Sequence, residues 1–206
     1  GTQVLQLKVT DQAGNDGNAS SKAYVLDTTA PAAPSAPTLL AASDLGVSNS
    51  DGLTSLTTPT LSGTAEAGST VTVYDGATPL GTAVATGGVW NYTTSARTHG
   101  SHTFSATATD LAGNVSAASS GLAVSIDTIA PLVSSVVSPP SGTYYGGNNL
   151  DLTVNFNDAV YVDTSEGTPR IPLTIGSATR YASYVSGSGT SALLFRYTVA
   201  NGDSDA

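Results

Sequence analysis

The chain has 206 residues, 39% hydrophobic and only 10% charged, with a net charge of −9 and no cysteine. That balance excludes a disulfide framework and argues against nucleic acid, whose phosphates call for a basic face. Thirteen of the 15 acids are Asp, a residue of turns and hard-cation sites rather than of helix surfaces.

No run of about 18 apolar residues marks a membrane helix, and no helical periodicity is sustained. Strand signals come instead, at short intervals. Val4, Leu5, Leu7 and Val9 form one strand and Ala23 to Leu26 another, joined by a Gly/Asn-rich turn. No signal peptide stands at Gly1, which starts in mid-strand as a fragment would. The proline-dense "DTTAPAAPSAP" (27–37) then reads as a stiff boundary.

A complete unit follows. A strand near Pro37–Ala42 leads to the loop "SDLGVSNSDGLT". "TPTLSGTAE", "STVTVYDG" and "PLGTAVAT" are next, the last two turning at Asp75–Gly76. "GVWNYTTS", "HTFSATATD" and "LAVSIDT" complete seven strands. Such spacing predicts an antiparallel sandwich with Trp90 and Phe104 in its core. "DTIAP" opens a third segment, where "NNLDLTVNFNDAV", "RIPLTIG", "TRYASYVSG" and "SALLFRYTVANGD" are strands. The fold class is all-β: tandem immunoglobulin-like sandwiches with the terminal domains incomplete. The expected divisions are 1–28, 29–128 and 129–206.

The chain repeats itself. "DQAGN" and "DLAGN" place Asp11 and Asp110 99 residues apart, and "DTTAP" and "DTIAP" place Asp27 and Asp127 100 apart. That period is roughly one immunoglobulin-like domain. "DxAGNxS", "DTxAPxxP", "SDxGxSxxDGxT", "PTLSGTAEAGSTVTVYDG" and "GVWNYT…HGSHTFSATATD" together resemble the bacterial Ig-like repeats of very large surface adhesins. "LTIGSATRYASYVSGSGTSALLFRYTV" looks like another module of the same proteins. The resemblance implies a stalk segment of a type I-secreted adhesin, outside the cell at the bacterial surface, serving attachment or biofilm formation. It also implies calcium between domains in several related repeats.

Strand direction offers a separate argument. Each strand reverses the last, so the Asp110–Asn114 turn returns to the pole where the linker and Asp27 enter. Asp44 and Asp51 lie at the opposite pole beside Asp127, with Asp158 of the third segment expected in an early turn facing them. Asp27, Asp110 and Asn114 are therefore candidate Ca²⁺ ligands of a first joint. Asp44, Asp51, Asp127 and Asp158 are candidates for a second, and Asp11 and Asn15 for one preceding the chain. Calcium takes 6–8 oxygens, which carboxylates, an Asn amide oxygen and carbonyls supply. The plainer alternatives are a tight turn for DxAGN, an Asx-type turn for DTxAP and a solvated loop for Asp44 and Asp51. None of the acids matches an EF-hand.

Other chemistry is thin. "HGSH" (99–102) reads as a hairpin corner, Glu66 has no partner carboxylate for glycoside hydrolysis, and no nucleophile elbow accompanies the serines. No enzymatic activity is expected. The partners expected are neighbouring repeats and strand exchange between chain ends, with no nucleic acid and no membrane insertion. Tyr144, Tyr145, Tyr181, Tyr184 and Tyr197 raise the alternative of a carbohydrate-binding module of a secreted hydrolase, which requires coplanar exposed rings.

Overall fold

The computed structural model of the chain describes residues 1–203 and divides it into two compact units, Gly1–Thr128 and Ile129–Ala206. The first unit opens with an antiparallel hairpin of β1 (Thr2–Leu7) and β2 (Ser20–Val25), running from Thr2 opposite Val25 to Leu7 opposite Ser20. Every residue of both strands is exposed.

The proline-rich stretch after the hairpin is part of the domain it leads into. Pro31, Pro34 and Pro37 are buried while the residues between them are exposed. That is the three-residue period of a polyproline II helix, the extended form to which proline's fixed φ is suited. Ser35 anchors the segment: its N–H donates to the Thr64 carbonyl (2.9 Å) and its Oγ accepts from the Thr64 N–H (2.9 Å).

The domain itself contains β3 (Thr38–Leu39), a 3₁₀ turn at Ala41–Ser43, β4 (Leu53–Thr54), β5 (Thr60–Thr64) and β6 (Thr70–Asp75). It continues with β7 (Thr78–Val84), β8 (Val89–Thr93), β9 (Gly100–Thr109) and β10 (Leu122–Ile126). One sheet has the order β4-β10-β9-β6-β7 and the other β3-β5-β8. The eighth strand, β4, lies inside the stretch expected to be a loop. Its two residues run parallel to β10, Thr54 beside Ile126, a pairing with no local signal.

Alternation puts Val71 and Val73 of β6, and Phe104 and Ala106 of β9, on the inner face. With Leu61, Ala85, Trp90, Val124 and Ile126 they form a core in which no side chain is more than 2% exposed. Trp90 lies against the bare face of Gly63, where a Cβ would stand 2.6 Å from Cζ2 of the indole. The sandwich is therefore closed by a large side chain on one strand and a missing one on its neighbour.

The second unit is a five-stranded antiparallel sheet of order β11-β12-β15-β14-β13. The strands are β11 (Val133–Val137), β12 (Asn149–Val160), β13 (Arg170–Ile175), β14 (Ala178–Ser186) and β15 (Thr190–Thr198). Val154, Ala182, Leu193 and Phe195 are its buried centre. The sequence offered no alternation at "VSSVV", and β11 is exposed throughout. Asp158 was expected in a turn but lies within β12, in the irregular stretch where the register against β15 shifts between Asn155 and Val160. A bulge absorbs the residues that a turn was expected to hold.

Candidate functional site

The two DxAGN turns are built alike. Asp110 Oδ1 accepts from the N–H groups of Ala112 (2.9 Å) and Asn114 (2.8 Å), and Oδ2 accepts from the Asn114 side-chain amide (2.8 Å). Asp11 Oδ1 accepts from Ala13 (2.9 Å) and Asn15 (2.8 Å), and Oδ2 from the Asn15 amide (2.9 Å). Gly14 and Gly113 have φ of +86° and +92°, a region that glycine enters without a Cβ clash. Three donors on each carboxylate favour its charged form. The side-chain amides of Asn114 and Asn15, with the turn N–H groups behind them, hold Asp110 and Asp11 below the usual carboxylate range.

Asn114 also reaches out of its turn. Its side-chain nitrogen lies 3.3 Å from the backbone carbonyl of Asp27, 87 residues away. The strand-direction argument expected this meeting of turn and linker. What meets the Asp27 carbonyl, however, is a donor. The Asp27 carboxylate bonds the Thr29 N–H (3.0 Å) in an Asx-type turn. Asp27 and Asp110 line one cleft together with Glu66, which sequence reasoning did not place there. Among the described residues no three His, Asp or Glu side chains converge tightly enough to chelate a metal.

Residues 30–128 match the bacterial Ig-like domain family. Among solved structures, the chain is similar to the fibronectin(III)-like modules of Clostridium thermocellum CbhA, at 16% identity and a TM-score of 0.32, over 70% of this chain and 72% of that one. No curated protein matches the chain.

The remaining candidates separate by environment. Asp44 closes the 3₁₀ turn, its N–H donating to Leu40 and Ala41, and is 5% exposed. Its Oδ2 accepts from the Gly52 N–H at 3.3 Å, whereas Oδ1 is buried and accepts no hydrogen bond. Asp51 is exposed and bonds the Leu53 N–H (3.0 Å). Asp127 donates its N–H to the Thr54 carbonyl (2.8 Å), which brings it beside β4, and its carboxylate lies 3.3 Å from His99 Nδ1. Asp158 belongs to the second unit and bonds the next N–H, that of Ala159 (2.7 Å).

A polar cluster that sequence reasoning missed surrounds His102. Nδ1 lies 2.7 Å from Asp75 Oδ2 and Nε2 lies 3.0 Å from the Thr98 carbonyl, with Arg97 3.9 Å from the same carboxylate. The ring stacks on Phe104 at 5.9 Å. "HGSH" was read as a hairpin corner, but the β6–β9 register sets Asp75 opposite Phe104, and so within reach of His102.

Of the five tyrosines considered for a sugar-binding face, Tyr145 is 70% exposed and the other four are engaged one by one. Tyr144 bonds the Pro140 carbonyl, Tyr184 the Ser188 N–H, and Tyr197 the Asp203 carboxylate, while Tyr181 carries the Arg170 guanidinium 4.9 Å from its ring centre. Tyr184 meets Phe195 edge to face at 68°. These contacts tie the rings into the sheet's own structure.

Proposed function

We propose that the chain is a spacer segment of a large bacterial cell-surface adhesin, lying outside the cell, serving attachment or biofilm formation, and stiffened by calcium. The observation that carries this reading is the recurrence of one complete hydrogen-bonded turn, Asp11–Asn15 and Asp110–Asn114, at the period of one domain. A chain that repeats a module together with its junction is organised for length. The hydrogen bond from Asn114 to the Asp27 carbonyl supports the same reading, because it ties the end of a domain to the segment that leads into it.

The role is mechanical rather than catalytic. A serine-type triad needs the second His nitrogen on a nucleophile's hydroxyl. For His102 that nitrogen is on a backbone carbonyl. The oxygen donors of an Asp-rich, cysteine-free chain suit a hard cation, and calcium tolerates irregular sites better than magnesium. Calcium at ten times its dissociation constant adds about 1.4 kcal/mol to the folded state. Thermal unfolding and small-angle scattering test the proposal. Calcium is expected to raise the melting temperature and lengthen the particle relative to a chelator, and identical curves in both experiments reject it.

A further inference from the structure

We propose that the β1–β2 hairpin of one copy of the chain docks on the apolar face of the β11-β12-β15 strands of a second copy. The contact completes a sandwich across two molecules. It goes beyond the spacer reading and needs no calcium. The hairpin carries the side chains that close the Ig-like domain. With the DxAGN and DTxAP segments aligned, Leu5, Leu7 and Tyr24 stand at the positions of Phe104, Ala106 and Val124. Those three are buried in the Ig-like core, whereas Leu5, Leu7 and Tyr24 are exposed. Pairing of Gln3 with Tyr24 and of Leu5 with Lys22 puts the exposed set on one side of the hairpin. Apolar side chains grouped on one wet face favour a contact that removes them from water.

The second unit is the complementary half. Its antiparallel order β11-β12-β15 repeats β3-β5-β8 of the Ig-like domain. There, Leu61 of β5 and Trp90 of β8 share one core with Phe104, Ala106 and Val124 from the opposite sheet. Among the described residues the second unit has one sheet and no opposite one. Its centre is correspondingly less closed: Val154, Leu193 and Phe195 are 6–9% exposed, against at most 2% in the Ig-like core. At the edge the face is open. Val136 lies opposite Val154 and Val133 opposite Phe156, on the apolar side, and both are exposed. The equivalent residue of the Ig-like domain, Leu39 opposite Leu61, is packed against the core.

Charge permits the partner to be a second copy. The chain has a net charge of −9, so two copies repel unless the surfaces that meet are neutral. Both are. In residues 1–26 Lys8 and Lys22 balance Asp11 and Asp16, and residues 128–150, which contain β11, have no charged side chain. Donor and acceptor are different surfaces, so the interface is heterologous. Each copy added leaves one hairpin and one sheet free, and the products are open chains or rings. The two strands of the hairpin have six residues each, half of them on either side, so the contact is small. Small contacts belong to the weak end of specific association, and dilute chain keeps its hairpin free.

Sedimentation velocity of the full chain, run from micromolar to millimolar concentration in a chelator, tests the contact. Dimers and larger species that grow with concentration are expected. The double variant Leu5→Asp, Leu7→Asp blocks the hairpin, and Val133→Asp, Val136→Asp blocks the sheet. All four positions are exposed, so neither variant disturbs a core. Each variant alone is expected to stay monomeric. An equimolar mixture is expected to give a complex of two that grows no further, because one intact hairpin meets one intact sheet. A monomer at every concentration overturns the contact. So does association that persists in either variant, which in the Leu5/Leu7 variant would point to pairing of β11 edges. A mixture that stays monomeric overturns it as well, and every one of these results leaves the calcium-stiffened spacer standing.

Discussion

The β1–β2 hairpin and the β9–β10 pair are two editions of one piece of sequence, and they differ in what surrounds them. With the Asp11 and Asp110 turns aligned, Leu5, Leu7 and Val9 correspond to Phe104, Ala106 and Ala108. With Asp27 and Asp127 aligned, Tyr24 and Leu26 correspond to Val124 and Ile126. The first set is 53–68% exposed, the second at most 2%. Yet the turn hydrogen bonds agree within 0.1 Å. The DxAGN motif is therefore local chemistry, set by an Asp that gathers three donors and a Gly free to take positive φ, and it forms with or without a packed domain around it. Burial is decided elsewhere, by which strands lie alongside.

The contrast can be broken most severely at the aligned core positions. Phe104→Ala is expected to cost about 3–5 kcal/mol in denaturant unfolding, whereas Leu5→Ala stays within about 0.5 kcal/mol. Equal losses would mean that the hairpin is packed as its counterpart is. Next in size is Gly63→Ala, which drives a methyl group into the Trp90 ring and is expected to cost about 1–3 kcal/mol. Trp90 fluorescence should shift at the same time, since the ring must move.

A smaller difference separates the two asparagines. Asn114→Ala removes the bond to Asp27 as well as that to Asp110, for about 1 kcal/mol. Asn15→Ala removes only the one within the turn, so a melting-temperature series should rank Asn114→Ala as the more damaging.

Acid should erase what the turns share. Both carboxyls sit below their ordinary value, so the stabilisation is complete above the unfolded pKa of about 3.9 and is lost as pH falls through the lower folded value. The amide shifts of Ala13 and Asn15 should titrate alongside those of Ala112 and Asn114, below the ordinary carboxylate range. Midpoints at the ordinary value would show that the carboxylates do not hold the turns.

Much of this was legible wherever the signal is periodic or local. Alternation located β6, β9, β12 and β15, the Asp75–Gly76 pair located a hairpin, and size alone put Trp90 and Phe104 inside. Counting strand reversals brought Asn114 to Asp27. Pairings between distant residues left no such trace. β4 exists because two loop residues find β10, and His102 finds Asp75 only through the β6–β9 register. The candidate ligands show the same divide. Asp44 and Asp51 look equivalent in sequence, but the 3₁₀ turn buries the first and leaves the second in water. The proline run was legible as stiff, while its burial every third residue depends on the β5 end it lies against.

The cysteine-free chain allows a direct test of stiffening, through spin labels on Ala117→Cys in the first unit and Glu166→Cys in the second, both at exposed positions. Pulsed electron–electron resonance then gives the distribution of distances between the two units. Calcium is predicted to narrow that distribution to a single peak and a chelator to broaden it. The same distribution under both conditions would contradict the account of the chain as a calcium-stiffened spacer.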